Sequence, residues 1–554
     1  MSERRPSRPQ WPLLLALAAG VVAIAVLGFI LADPLDSSSG GDESERYIEA
    51  AVGAPARVNP LFAPVSETDA DIAALVFSGL TKLGPDGTVL PDLAESWQVS
   101  DDGLTYVFHL RQDVRWHTGA DFTADDVVFT YQMLADPELP SDPTLSTFWG
   151  QVSCTALDPL TLSCELPEPF APFLAHATVG ILPKHVLEGT TAATIADSPF
   201  NQAPTGTGPY RLAQLDQTKA VLRANETYYD KRPAIDEVEI RFFPDSSTAA
   251  AALSRGEVHG LLIGPGAVQK DFDLLTSTSG LRAYTANRTR LAVLFLNNLQ
   301  PPFDDRTLRE AVSLSVDVDR VIGDLLGGRA VRADSPVVPG TWASNPQLEP
   351  RPYDRDRAKE LLDEAGWVDG EGDIRQKEGT ELRISLMTDQ DPVRIAIAQE
   401  IANQLAGVGI QVTVTPQGSE GSADLVRTFL APHQYQAAIF GWDPGPDPDP
   451  YPAWHSSQVG QDGGNLSGYQ NEDADRTMEE ARRTTDLDKR QALYYTFQQK
   501  FRDDVPSVLL YYPVFTYYVT DDVQNVELGT LFQTSSRFAS ITSWTFGHGP
   551  DLLD

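Results

Sequence analysis

Hydrophobic and polar positions alternate along several short segments of the chain. In LTYVFHLR (residues 104–111) and in LRISLMT (382–388), apolar side chains recur at every second position. A period of two is typical of a β-strand that buries one face, so both segments are predicted strands. In TADDVVFTYQML (123–134), apolar positions recur instead at helical spacing, and Thr123 with Asp126 three residues later forms a helix-start pattern.

One region combines both periods. The predicted strand at 382–388 is followed by DPVRIAIAQEIANQL (391–405), a predicted helix with Pro392 in its first turn, and then by a second predicted strand, IQVTVTP (410–416). Strand, helix and strand at this spacing predict a parallel crossover unit. Because strands and helices alternate without a fixed repeat in a chain of 554 residues, we expect an α/β fold with more than one lobe.

The N-terminus carries a separate pattern. A basic segment at residues 1–10 precedes an uncharged run at 11–32, which exceeds the roughly 20 residues that a membrane-spanning helix requires. We expect a single-pass anchor with residues 1–10 in the cytoplasm, a flexible polar linker at 33–46, and the remaining chain outside the cell. The alternative is a signal helix at 11–32 that is cleaved, which would leave a secreted or periplasmic protein.

Charge and motifs exclude several function classes. The formal net charge of −36 argues against a nucleic-acid partner, which would need basic stripes. The sequence has no phosphate-binding G-x-x-x-x-G-K-[ST], no zinc-binding H-E-x-x-H and no G-x-S-x-G nucleophile turn. We therefore expect no catalytic residues, no cofactor and no metal site.

The chain has two cysteines, Cys154 and Cys164. They lie in VSCTALDPLTLSCEL, where alternating side chains flank the turn formers Asp158 and Pro159. A hairpin about this turn places the two sulfurs opposite each other, and an exported location permits oxidation. We expect a disulfide, with two free buried thiols as the alternative.

The most unusual segment is GWDPGPDPDPYPAWHSSQ, residues 441–458. Its prolines remove backbone donors and push the residues before them out of the helical region, so the segment cannot be a regular core element. It is instead a stiff loop that carries Asp443, Asp447 and Asp449 between Trp442 and Trp454.

Residues 90–132, LPDLAESWQVSDDGLTYVFHLRQDVRWHTGADFTADDVVFTYQ, resemble the signature region of the extracellular solute-binding proteins that serve peptide, dipeptide and nickel uptake through ATP-driven importers. Further segments agree with that family in order along residues 47–525. They are NPLF at 59, PTGTGPYRL at 204, LFLNN at 294, PPFDDRTLREAVSLSVD at 301, YDRDRAKELLDEAGW at 353 and the block from NLSGYQNEDADRTMEEARRTTD to LYYTFQQKFRDDVPSVLLYYP.

The resemblance implies a type II periplasmic binding-protein fold, in which two lobes joined by a hinge close over a ligand and a third domain is added. On this pattern, lobe I is discontinuous and comprises residues 47–85, 205–298 and 505–554. The extra domain at 86–204 is inserted in lobe I, and lobe II comprises residues 299–504. A monomer is expected.

In peptide-binding members of the family, an aspartate shortly after a Gly-Trp pair holds the free amino group of an extended peptide. The corresponding position, three residues past Trp442, is Gly445 here. We expect Asp447 to take this role, with Asp449 and Asp443 behind it, because a carboxylate forms strong charge-assisted hydrogen bonds with an ammonium group. The alternative is that all three are solvated loop carboxylates.

Three further residues are candidate ligand contacts. Trp442 and Trp454 offer flat apolar area and a cation–π face, with core packing as the alternative. Asn59 could line the cleft from lobe I or could start a turn before Pro60. The predicted function is capture of an extended oligopeptide and delivery to an ABC permease in the membrane. The alternatives are another small solute, such as a nickel chelate, a sugar or an antibiotic, and a secreted hydrolase.

Overall fold

The computed structural model describes residues 45–547 except residues 142, 420 and 422. The predicted cytoplasmic segment 1–10, the predicted membrane helix 11–32 and the linker up to residue 44 lie outside the described residues. Within the described ranges, no helix combines the length and the apolar character that crossing a membrane requires.

The described chain alternates short strands and helices throughout. The strands are β1 Arg46–Val52, β2 Thr81–Leu83, β3 Val89–Pro91, β4 Ala94–Val99, β5 Thr105–Leu110, β6 Ser153–Asp158, β7 Thr161–Glu165, β8 Tyr210–Leu215, β9 Lys219–Ala224, β10 Glu237–Phe243, β11 Gly260–Ile263, β12 Leu281–Asn287, β13 Leu291–Leu296, β14 Ala330–Arg332, β15 Val368–Asp369, β16 Arg375–Lys377, β17 Thr380–Glu381, β18 Arg383–Thr388, β19 Gln411–Pro416, β20 Ala437–Trp442, β21 Ser507–Thr520, β22 Val523–Gln524 and β23 Thr545–Phe546. The α-helices are α1 Glu67–Val76, α2 Ala124–Ala135, α3 Pro143–Trp149, α4 Phe173–His176, α5 Ser246–Ser254, α6 Gln269–Ser277, α7 Arg306–Ser315, α8 Val318–Leu326, α9 Arg355–Glu364, α10 Pro392–Ala406, α11 Ala423–Leu425, α12 Tyr451–Trp454, α13 Glu472–Arg483 and α14 Leu487–Asp504.

One long strand, β21, lies in the middle of a twelve-stranded sheet with the order β19-β18-β20-β13-β21-β11-β1-β10-β9-β8, and β12 and β14 also pair with β21. The first part of β21 pairs with β13 and β14, and the rest pairs with β11 and β12. We call the residues that pack around β1 and β8 to β12 the first half of the molecule. Those that pack around β13, β14 and β18 to β20 are the second half.

The second half has a separate core on each face of its sheet. Along β13, Leu291, Val293 and Phe295 pack on one face, whereas Leu294 and Leu296 pack on the other. A strand that is buried on both faces is a continuous apolar run, which explains the sequence LAVLFL. The predicted crossover is confirmed here, since β18 and β19 are parallel neighbours connected through α10.

In the first half, the segment after β21 is tied to β1 by buried charges. Arg537 donates to Glu49 at 2.8 Å and to both carboxylate oxygens of Asp71 at 2.7 and 2.6 Å. The hydroxyl groups of Tyr47 and Tyr517 donate to the second oxygen of Glu49. Because buried charges are tolerated only when they are paired and hydrogen-bonded, this network holds the C-terminal segment on the first half.

A four-stranded antiparallel sheet, β4-β5-β7-β6, lies between β3 and β8 in the chain. The predicted strand at 104–111 is confirmed as β5 and the predicted helix at 123–134 as α2, where the backbone N–H of Thr123 donates to Asp126 at 3.0 Å. Cys154 and Cys164 lie opposite each other on β6 and β7 and form a disulfide. This sheet shares its largest apolar cluster with the first half.

Candidate functional site: a cleft between two strand edges

The carboxyl ends of the parallel strands in the first half point toward the middle of β21. Strand β11 is antiparallel to β21, and its last residue, Ile263, lies opposite Thr516. Strands β1 and β10 run parallel to β11, so they end at the same edge. The loops that follow these three strands therefore line one wall beside the middle of β21.

In the second half, the carboxyl ends of the strands point toward the middle of β21 from the opposite side. Ala292 on β13 lies opposite Tyr511 on β21, and the preceding residue, Leu291, lies opposite Trp442 at the carboxyl end of β20. Strand β18 runs parallel to β20 and ends nearby at the same edge. The carboxyl edges of the two halves thus face each other across the middle of β21, and this is the place where open α/β sheets bind ligands.

The chain passes directly between the two edges in two places. One is β21 itself around Pro513, and the other is the connector from β12 to β13, residues 288–290. The backbone N–H of Arg288 donates to the carbonyl of Pro513 at 3.0 Å, so the two passages lie side by side. Two short passages of this kind are the connections that closure of two domains about a hinge requires.

The proline-rich loop follows β20 at this edge, as expected for a loop that faces a ligand. Asp443 is exposed, and its Oδ1 accepts from the hydroxyl of Thr289 at 2.9 Å and from the backbone N–H of Gly445 at 3.1 Å. Gly445 has a φ of 78°, a conformation that favours glycine. The loop therefore turns sharply next to the connector and presents Asp443 there.

Asp447 is buried and forms an ion pair with an arginine. Arg490 donates to its two carboxylate oxygens at 2.8 and 2.6 Å, and both side chains are less than a tenth exposed. Arg490 also donates to the hydroxyl of Tyr494 at 2.7 Å. Burial lowers the pKa of Arg490, but the charge and hydrogen bonds of Asp447 together with the charges of Tyr494 and Asp449 outweigh burial and raise it. The pair anchors the loop on α14.

Asp449 makes the second ion pair of the loop, with Arg482 at 2.7 Å. The guanidinium of Arg482 stacks over the rings of Tyr451 and Phe170, and its backbone carbonyl accepts from Ala171 at 2.6 Å. Burial raises the pKa of Asp449, although Arg482 opposes that rise. Through Arg482, the loop contacts the four-stranded sheet region of the chain.

A histidine from that region completes this contact. His176 stacks on Phe148 with ring centroids 4.4 Å apart, and burial lowers its pKa to about 4. The charged groups that act on it come from the second half: Asp447 raises the pKa of His176 and Arg482 lowers it. The contact therefore contains a buried imidazole whose pKa is affected by members of both ion pairs of the loop.

Of the other predicted contact residues, Trp442 lies at the carboxyl end of β20, whereas Trp454 and Asn59 are buried away from this edge. Trp454 is fully buried and packs against Phe295 and Phe501 in the core of the second half. Trp442 is partly buried against the same core. Asn59 is fully buried and donates to Asn201 at 2.9 Å. In this conformation, the fully buried Trp454 and Asn59 present no side-chain surface to the cleft.

The two halves are already in contact. The backbone N–H of Trp342 donates to the carbonyl of Asp86 at 3.0 Å. Beside this contact lies a cavity of about 10 Å³ that Thr289, Gly445 and Phe532 help to line. A space of that volume holds about one water molecule, so this cavity is too small for a peptide as it stands.

Sequence reasoning missed the arginines of this region. Arg490 and Arg482 are 43 and 33 residues away from their aspartates in the chain, and both lie in helices whose charged residues are typical of a solvated face. Arg394 pairs with Asp389 at 2.6 Å at the carboxyl end of β18. Only the pair of Arg394 and Asp389 could have been suspected from the sequence, since its members are five positions apart.

Comparison with known proteins agrees with this arrangement. The family model "Bacterial extracellular solute-binding proteins, family 5 Middle" matches residues 88–464. The oligopeptide-binding protein AppA of Bacillus subtilis (strain 168) is 30% identical over 486 residues, which is 86% of this chain and 86% of AppA. Two solved structures are similar over 91% of this chain and 99% of theirs. NikZ from Campylobacter jejuni in complex with Ni(L-His) has a TM-score of 0.70 at 27% identity, and Bacillus subtilis AppA in complex with a nonapeptide has a TM-score of 0.67 at 26% identity.

Proposed function

Because this chain belongs to family 5 of the bacterial extracellular solute-binding proteins, we propose that it captures a peptide between its two halves and delivers it to the permease of an ATP-driven importer. The likeness to the two solved structures confirms the predicted type II periplasmic binding-protein fold. The observation that carries the proposal is the pair of carboxyl strand edges that face each other across β21 and the connector.

The ligand binds when the halves are apart and is enclosed when they close about the hinge. An extended peptide has free backbone N–H and C=O groups along its whole length, and strand ends and loops can pair with them without reading the peptide sequence. Closure is then the signal that the permease recognises. The protein itself performs no chemistry on the peptide in this scheme.

Asp443 is our first candidate for binding the peptide's ammonium group. The sequence-based order placed Asp447 first, but Arg490 occupies both of its oxygens. Asp449 is similarly paired with Arg482. Asp443 is exposed, accepts only from neutral donors and has no basic side chain within 4 Å among the described residues.

The domain layout and the membrane anchor belong to the same proposal. Residues 47–85, 205–298 and 505–554 move as lobe I together with the extra domain at 86–204, and residues 299–504 move as lobe II. A helix at 11–32 tethers this monomeric receptor to the outer side of the cell membrane, and the linker at 33–46 gives it the reach to meet its permease.

The test is retention of peptides by the purified full chain in mild detergent. Equilibrium dialysis against a pool of short peptides, followed by mass spectrometry, should show saturable retention. Small-angle scattering should show a smaller radius of gyration when the retained peptides are added back. Asp443→Asn should weaken retention, whereas Asp113→Asn, in an exposed loop outside the cleft, should not. Absence of retention together with an unchanged radius of gyration would refute the proposal.

A second candidate ligand is a metal chelate, which the likeness to the NikZ complex with Ni(L-His) favours. Dialysis against Ni²⁺ with L-histidine separates the two candidates. Retention of nickel and histidine together, without retention of any peptide, would replace the peptide by a chelate in the same cleft.

A further inference from the structure

The connector between the halves carries two arginines that have no acidic partner. No carboxylate oxygen of the described residues lies within 4 Å of the guanidinium of Arg288 or of Arg290. The chain has 78 acidic and 42 basic residues, so carboxylates outnumber basic groups by nearly two to one. The structure places both of these arginines at the point where the two strand edges face each other.

Arg290 lies on the side of the second half. Its Nε is 2.7 Å from the position that a Cβ on Gly441 would occupy, so the side chain lies directly over the backbone at the end of β20. Arg290 is exposed. A side chain at position 441 would push aside the guanidinium, which is the end of a flexible and exposed side chain. The positive charge lies over the end of β20, from which the proline-rich loop continues.

Arg288 lies on the side of the first half. It acts on Glu67, the first residue of α1: burial raises the pKa of Glu67 and the charge of Arg288 opposes that rise. The Nη1 atom of Arg288 is buried and has no hydrogen-bond partner among the described residues. A buried guanidinium N–H without a partner is unfavourable, so Arg288 has an unused donor in this conformation.

Other arginines near the cleft are not available for this role. Arg394 is held by Asp389 at 2.6 Å and by Asp391 at 3.0 Å. Arg329 donates to Gln269 at 2.6 Å and stacks over the ring of Phe272. Unlike these two, the connector arginines are held, among the described residues, neither by a carboxylate nor by a hydrogen-bonded side chain.

We propose that Arg288 and Arg290 bind a carboxylate of the captured peptide. This inference rests on the proposed peptide-binding function and specifies the chemistry of its ligand. A guanidinium presents paired N–H donors that match the two oxygens of a carboxylate, and such charge-assisted bonds are stronger than neutral ones. Thr289, between the two arginines, donates to Asp443. The ammonium that Asp443 binds and the carboxylate that the arginines bind therefore lie close together, as in a dipeptide or in a longer peptide with an acidic side chain near its amino terminus.

The test uses three peptide pools and the full chain in mild detergent. The first pool has free carboxyl termini and no Asp or Glu, the second is the same pool with amidated termini, and the third is amidated but contains Asp and Glu. We expect amidation of the neutral pool to weaken retention about 10- to 100-fold. Retention of the first pool alone identifies the terminal carboxylate, and equal retention of the third identifies an acidic side chain.

Variants of the connector arginines test whether they cause the preference for a free carboxylate. The double variant Arg288→Gln/Arg290→Gln should retain the free and amidated neutral pools equally, and Arg290→Lys should keep part of the preference because it keeps the charge. The matched control is Arg211→Gln, since Arg211 is exposed and lies on β8 at the far edge of the sheet. The comparison of pools on the unmodified protein does not depend on any variant folding.

The outcomes separate the two proposals. If the unmodified protein retains the amidated neutral pool as strongly as the free pool, the carboxylate inference is refuted while the peptide-binding function stands. The inference is equally refuted if the double variant keeps the full preference for a free carboxylate. If the unmodified protein retains none of the three pools, both proposals fail.

Discussion

The buried pair between Asp447 and Arg490 allows a sharp test of what the proline-rich loop does. Asp447→Asn removes the negative charge but keeps the size of the side chain, and it leaves the guanidinium of Arg490 buried beside a neutral amide. Arg490 would keep its bond to Tyr494. We expect Asp447→Asn to destabilise the second half without removing any apolar contact.

The expected magnitude follows from the burial of both partners. Their side chains are 8% and 6% exposed and share two hydrogen bonds. Removing one partner of such a pair costs about 3–5 kcal/mol, because the other charge stays buried and unpaired. If the second half unfolds as a unit of roughly 250 residues, this corresponds to a melting temperature lower by about 6–10 °C.

Scanning calorimetry on a double-mutant cycle measures the effect. Asp447→Asn and Arg490→Met should each lower the melting temperature, and the double variant should lose less than the sum because neither charge is then left unpaired. Asp443→Asn is the control and should change the free energy of unfolding by no more than about 0.5 kcal/mol, since Asp443 is exposed. If Asp447→Asn abolishes peptide retention while its melting temperature equals that of the unmodified protein, the assignment of a structural role to Asp447 is wrong.

Other predictions concern the rest of the chain. Replacing Cys154 and Cys164 together by serine should lower the free energy of unfolding by about 2–3 kcal/mol in a non-reducing thermal scan, through loss of the cross-link. Trp454→Ala should lower it by about 3–5 kcal/mol in urea, because that side chain is fully buried. The pKa of His176 is lowered by burial to about 4, below its value of about 6.5 in the unfolded chain, so stability should fall as the pH drops from about 6.5 to about 4, and His176→Gln should reduce this fall. Deleting residues 11–32 should move the expressed protein from the membrane fraction to the soluble fraction, and an unchanged distribution would contradict the anchor.

The secondary structure near the cleft could be predicted from local patterns. The period of two in residues 382–388 correctly predicted β18, and the helical period in 391–405 correctly predicted α10. Pro392 is in the first turn of that helix. These predictions succeeded because each element buries one face, or both, and its sequence records that burial directly. The irregular stretch at 443–450 could also be located from its prolines, although residues 451–454 of the same segment form α12.

The roles of the aspartates in that loop could not be read in the same way. Asp443, Asp447 and Asp449 look alike in the sequence, and the difference between them comes from arginines that the chain brings in from elsewhere. Arg482 and Arg490 meet them only after α13 and α14 have packed against the second-half sheet. An ion pair produces no periodic pattern in the sequence, because it depends on one contact between two residues.

The sequence by itself determined the family, the α/β class and the place of the unusual loop, since hydrophobic period, turn formers and motif order are properties of neighbouring residues. Tertiary structure alone decided which charges are buried in pairs and which remain free at the cleft. The physical reason is that the free energy of a charged group depends on its partners and its access to water, and folding sets both through residues far apart in the chain.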